Sequence, residues 1–236
     1  MTQHAVAFGK KTIRFSLEQK ARKSFKIGVL PDLSVEVSAP DRLPLEKVLA
    51  RVQQRAPWIL RQVDYFNGFL PQQPPRKYIS GETHCYLGRQ YKLKVERAPK
   101  GQVKLKKAHI VIALPRVDAK QEVKRLLYGW YRVRAKDIFM AKVQLCHERL
   151  TKYSIPLPKV DIKIMKSRWG SCVHTKGRIG LNIELVKAPS HSIEYVIMHE
   201  LCHLKHPNHT KEFYKFLSLV MPDWEKRKTR LERVLL

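Results

Sequence analysis

The segment Tyr195–Phe216, reading YVIMHELCHLKHPNHTKEFYKF, constrains this chain more than any other. Within it, His199 and His203 stand four residues apart, so on a helix both imidazoles lie on one face and reach one cation. Glu200 is rotated about 100° from His199 around the same helix. It is badly placed to ligate that ion, but its longer side chain reaches a water held there. Two neutral imidazoles on a metal, with a carboxylate that takes a proton from the bound water, is the division of labour of a zinc hydrolase. Ile197, Leu201 and Leu204 gather on the opposite face and give the helix an apolar side to bury. Cys202 lies on the flank away from Glu200 and reads as a packing residue rather than a ligand.

A catalytic zinc site usually takes three protein ligands and leaves one position for water. His209 follows His203 by six residues, the offset of the extended HExxHxxGxxH pattern, with His206 in the glycine position and Pro207 after it. Proline cannot continue a helix and pushes the residue before it toward extended backbone. The chain can therefore turn there and bring His209 back toward the metal. His206 is the competing candidate. The plain alternative is a polar helix face that binds no metal.

Charge and cysteine content narrow the class further. The 236 residues carry 47 Lys and Arg against 20 Asp and Glu, a formal net charge of +27, with dense stretches at Lys92–Lys107, Lys120–Lys142 and Lys226–Arg233. Such a field attracts polyanions, so non-specific nucleic acid contact through a basic surface is one expectation and a merely solubilising surface the other. Hydrophobic residues at 44% exclude a disordered basic tail. Cys85, Cys146, Cys172 and Cys202 form no CxxC pair, which argues against a disulfide scaffold or a thiolate zinc finger. With no apolar run near the roughly 20 residues of a membrane span and no signal-peptide core, the expectation is a cytoplasmic protein without a transmembrane segment.

The pattern predicts an α+β chain. Thr12–Leu17, Ser24–Val29 and Leu33–Val37 alternate as half-buried strands and suggest an antiparallel meander, with a turn at Pro31-Asp32. Asp41 is placed to cap a helix whose first turn holds Pro44, and Pro57 threatens to kink or split it. Pro71–Pro75 reads as a connector. Short strands resume from Tyr78 to Leu114, and Asp118 is placed to cap a long helix reaching about Thr151. A β-rich amino-terminal region over residues 1–115, with one helix, and a hydrolase core over residues 116–236 are expected. The core includes strands near Val160–Met165, Trp169–Val173 and Arg178–Ile183, and helices near Ser190–Lys205 and Thr210–Val220.

SRWGSC (Ser167–Cys172), RIGLNIEL (Arg178–Leu185) and IEYVIMHELCHLKHPNHTKEFY together resemble the YgjP-like group of zinc metallopeptidases, which is related to the WLM and SprT-like families. The resemblance is strongest over residues 163–223 and extends to Ser24–Pro40. It implies a compact zincin-like core, a small sheet packed on the motif helix. It also implies one zinc ion held by His199, His203 and His209, and Glu200 as catalytic base. The implied reaction is hydrolysis of a peptide or protein substrate; a nucleotide pyrophosphatase activity has also been proposed within the group.

SRWGSC has its own physical reading. Arg168 suits an anionic group, Trp169 offers apolar surface, and Gly170 lets another backbone come close. Arg168, Trp169, Gly170 and Ser171 are thus candidate substrate-binding residues on a strand edge beside the metal, where an extended peptide adds as another strand. A buried Trp beside a turn glycine is the alternative. His174, Tyr195 and Tyr214 are candidates to stabilise an oxyanion, and Cys172 as a nucleophile has no triad spacing behind it. Two rivals to a peptidase stand beside it: a metal-dependent nucleotide pyrophosphatase, and a nucleic-acid-associated binding protein with a structural zinc site.

Overall fold

The computed structural model describes residues 1–22, 24–30, 32–68, 76–165 and 168–235, without the side chains of 233–235. The Pro71–Pro75 connector, Pro31 and Ser167 lie outside the described residues. The chain is α+β, in two compact units, Met1–Pro74 and Pro75–Leu235. Among the described residues, no helix is long and apolar enough to cross a membrane.

In the first unit, β1 (Thr2–Phe8) and β2 (Lys11–Lys20) form an antiparallel hairpin. Its turn uses Gly9 at φ +58°, where a side chain would be strained. β3 (Lys26–Val29) and β4 (Val35–Pro40) complete a sheet of order β1-β2-β4-β3. The meander is corrected at one pairing: β4 lies beside β2 and runs parallel to it, with β3 displaced to the edge. Strand alternation records which face is buried but not which partner or direction a strand takes. Helix α1 (Leu45–Asn67) lays Val48, Val52, Ala56 and Ile59 into a core with Phe15, Leu17, Val37 and Ala39. Pro44, not Asp41, is its N-cap, while the Asp41 carboxylate accepts from the Arg42 N–H. The helix continues through exposed Pro57 without a break.

In the second unit, β5 (Thr83–Tyr86), β6 (Arg89–Arg97), β7 (Gln102–Lys106) and β8 (His109–Leu114) make a sheet of order β5-β6-β8-β7. Helix α2 (Lys120–Glu148) follows; Ala119 rather than Asp118 occupies its N-cap position. It buries Val123, Leu127, Tyr131, Ala135, Phe139 and Val143, close to one residue per turn. β9 (Lys159–Lys163), β10 (Gly170–Val173) and β11 (Arg178–Asn182) form a second sheet, with β10 at one edge and β11 in the middle. Helices α3 (Ser190–Cys202), α4 (Lys211–Val220) and α5 (Trp224–Leu235) close the chain.

One core joins all of these: Leu93, Ile110 and Ile112 from the first sheet, Leu127 and Phe139 from α2, Ile179 and Leu181 from β11, Ile197 and Leu201 from α3. The division at 115/116 is therefore displaced to 74/75. Strands β5–β8 bury their inner face with α2 and α3, so they belong with the carboxy-terminal elements.

Candidate metal centre

His199 lies in the last turn of α3 and His203 is its C-cap. The chain then turns: the His206 N–H donates to Cys202 O at 2.9 Å, Pro207 ends any continuation, and Thr210 caps α4. The turn folds His209 back over α3. Its Nε2 lies 2.9 Å from Nε2 of His199 and 3.1 Å from Nε2 of His203. Three nitrogens bound tetrahedrally to zinc at about 2.0–2.1 Å would stand about 3.3 Å apart, close to this spacing. Among the described residues, no fourth His, Cys, Asp or Glu joins the group.

His206, the competitor, stays out of the cluster. Its ring packs 5.3 Å from Phe216, and its carbonyl accepts from Nδ1 of His203 at 3.1 Å. A carbonyl only accepts, so that bond puts the His203 proton on Nδ1 and leaves the Nε2 lone pair facing the other rings. Phe213 of α4 sits against all three imidazoles, at centroid distances of 5.0, 4.5 and 4.9 Å. This apolar floor disfavours the charged rings. Burial, then the neighbouring His203 and His209, push His199 down to about 3. Burial likewise lowers His203 and His209. Three neutral imidazoles with converging Nε2 atoms are the donor set a divalent cation takes.

Glu200 is 6% exposed and lies against Gly170 of β10. A Cβ at residue 170 would stand 2.5 Å from the Glu200 Oε1. Burial pushes this carboxyl up to about 8, opposed by the charge of Arg168.

The other candidates are placed as follows. Arg168 is exposed, and Trp169 packs partly against the core. The Ser171 hydroxyl sits over Gly180 of the neighbouring strand, on the face of β10 away from Gly170 and Glu200. Cys172 is held near 11, chiefly by burial, so its thiol is protonated at neutral pH, against a nucleophilic role. Tyr214 stacks on His209 at 6.0 Å and is 41% exposed. Tyr195 is buried, edge-on to His199 and stacked on Trp224. His174 is exposed in the turn after β10.

Asn182 escaped the sequence reading. Buried at the end of β11, it donates from Nδ2 to the carbonyls of Met165 and Arg168, and its Oδ1 accepts from the Glu184 N–H. It thereby ties down both ends of the loop that leads into β10. The available signal was an amide inside the apolar run Ile179–Leu185, where a polar side chain must find partners.

These elements define a metallopeptidase-type domain: a metal-ready histidine trio gathered from the end of α3 and the turn after it, a buried acid beside it, and a small sheet with its edge strand against that acid. A family model described as YgjP-like, metallopeptidase domain, matches residues 23–234, and the chain belongs to that family. None of the curated proteins compared with the chain matches it.

Proposed function

We propose that this chain is a zinc-dependent peptidase. His199, His203 and His209 would hold the ion through Nε2, and Glu200 would act as general base. The observation that carries the reading is the approach of the three Nε2 atoms to 2.9 and 3.1 Å beside a buried carboxyl. A bound zinc ion supplies Lewis acidity, which polarises a carbonyl and makes a water easier to deprotonate.

The chain's own residues supply the rest. The His203 tautomer is set by the His206 carbonyl, which aims its lone pair inward. Glu200 would lose its proton readily with a cation near it, because the opposite charge offsets the burial that holds it near 8. It can then accept a proton from the attacking water and pass it to the leaving amine. Among the described residues no strand pairs with the outer edge of β10, and its Gly170 lies against Glu200. An extended peptide added along that edge would bring its backbone to the acid. Arg168 and Trp169, at the entry to β10, would meet the substrate's side chains.

Glu200→Gln should retain one zinc per chain by elemental analysis and lose peptide cleavage in a proteomic screen by about 10²–10⁴-fold. Undiminished cleavage by the zinc-loaded variant would remove Glu200 from the mechanism. Pyrophosphate release from nucleotides, with no peptide cleaved, would replace the peptidase reading.

A further inference from the structure

The sheet β5–β8 has one face in the core, and its pairing register fixes what the other face carries. Leu93, Ile110 and Ile112 point inward, so their neighbours along each strand point outward. Lys92 of β6, His109 of β8 and Lys106 of β7 stand in one row across the sheet; Lys94, Val111 and Lys104 stand in the next. All four lysines and His109 are exposed. With strands about 4.8 Å apart and alternate residues about 6.7 Å apart, the lysine Cα atoms mark a patch roughly 7 by 10 Å.

Little on this face offsets the charge. Residues 89–107 hold eight basic side chains and one carboxylate, Glu96. Glu96 pairs with Lys94 at 2.6 Å, and both side chains are exposed, so water screens the pair. Val111 is only 7% exposed yet belongs to neither core. It lies between the long stems of Lys94 and Lys104, which can cover it while their ammonium groups stay in water. A surface that serves solubility alone intersperses both signs; this one does not.

The chemistry of the patch selects among polyanions. Lysine is a point charge that suits the phosphates of a regular backbone without demanding one orientation. The exposed face carries no Phe, Tyr or Trp on which the bases of a single strand would stack. It also lacks the large apolar anchors of a membrane-surface element. A duplex keeps its bases inside and its phosphates outside, and matches both absences. We propose that the outer face of β6, β8 and β7, through Lys92, Lys94, Lys104 and Lys106, docks a nucleic-acid duplex by its phosphates without reading sequence. The patch shares no residue with the metal centre, so this inference stands or falls apart from the peptidase reading.

The test is fluorescence anisotropy of the full chain with a labelled, mixed-sequence DNA duplex across a salt series. Binding should weaken linearly in log affinity against log salt. Changing all four lysines to Glu should weaken it at least about tenfold and make the slope shallower by about three to four. The milder set of four Lys→Gln changes should act in the same direction, and melting curves would show that both sets fold. Zinc content and peptide cleavage should be unchanged. A control set, Lys10, Lys47, Lys136 and Lys176 to Glu, makes the same change in net charge at other exposed sites. It should keep affinity within about threefold. Equal loss in the control set, no duplex binding at low salt, or tighter binding to the single strand or to anionic vesicles would each overturn the proposal.

Discussion

Gly170 has no side chain, and the Glu200 carboxyl occupies the space a Cβ would need. Gly170→Ala should therefore displace the carboxyl while leaving the histidines in place. The expected outcome is full zinc content with cleavage reduced at least about tenfold, read by elemental analysis beside kinetics. Ser171, by contrast, projects from the other face of β10 over Gly180, so a change there leaves the carboxyl's space untouched. The same carboxyl gives a pH signature in the metal-free protein. Its folded pKa, near 8, lies above the ordinary carboxyl value, so the folded state binds more protons than the unfolded one between those values. Stability contributed by the neutral acid is lost as pH rises toward 8. His199, held near 3, works in the opposite direction: the unfolded imidazole takes up protons below its usual value, so stability falls as pH drops below about 6.5. The two slopes cancel between about 4.5 and 6.5, so chelator-treated protein should melt highest across that interval, then lose roughly 1.5 kcal/mol by pH 8. Glu200→Gln should flatten the alkaline limb, as measured by denaturant unfolding. The histidine pair was legible because helical periodicity fixes which residues share a face. The space at Gly170 was not, because it depends on which strand packs against α3, and local spacing does not hold that information.

Between α2, α3 and α5 runs a polar brace. Glu194 Oε1 accepts from Lys142 at 2.6 Å, Oε2 accepts from Arg227 at 2.9 Å, and Arg227 also reaches Asp223 at 2.8 Å. Lys142 and Arg227 are mostly covered, so removing Glu194 leaves two cations short of a partner. Glu194→Ala should cost about 2 kcal/mol, between the values for exposed and buried pairs, as measured by urea unfolding. High salt should recover little of that loss. At this scale the sequence was most readable where the period was long. The stripe of α2 and the turn before α4 announce themselves through apolar spacing and Pro207. The parallel pairings β2–β4, β6–β8 and β9–β11 do not, since each joins segments whose order in the sheet depends on long-range packing. The intact passage of α1 through Pro57 has a local reason: that residue faces solvent, while the buried stripe of the helix runs through Val52, Ala56 and Ile59.

Each of the two units carries a core of its own. A fragment starting at Arg76 should therefore fold and bind zinc with affinity within about threefold of the full chain, as measured by competition with a metal-binding dye. Failure of that fragment to fold would mean that the second core is incomplete without the first unit. The net charge was legible from composition, but its concentration on one sheet face emerges only from the register of β6, β8 and β7. The three histidines proposed as ligands also differ in when folding can bring them together. His199 and His203 come together as soon as α3 winds, whereas His209 arrives only when the turn at Pro207 closes and Phe213 seats α4 beneath the rings. On the proposed ligand set, a chain without that closure would offer only two imidazoles, so firm retention of an ion would report that α4 has docked.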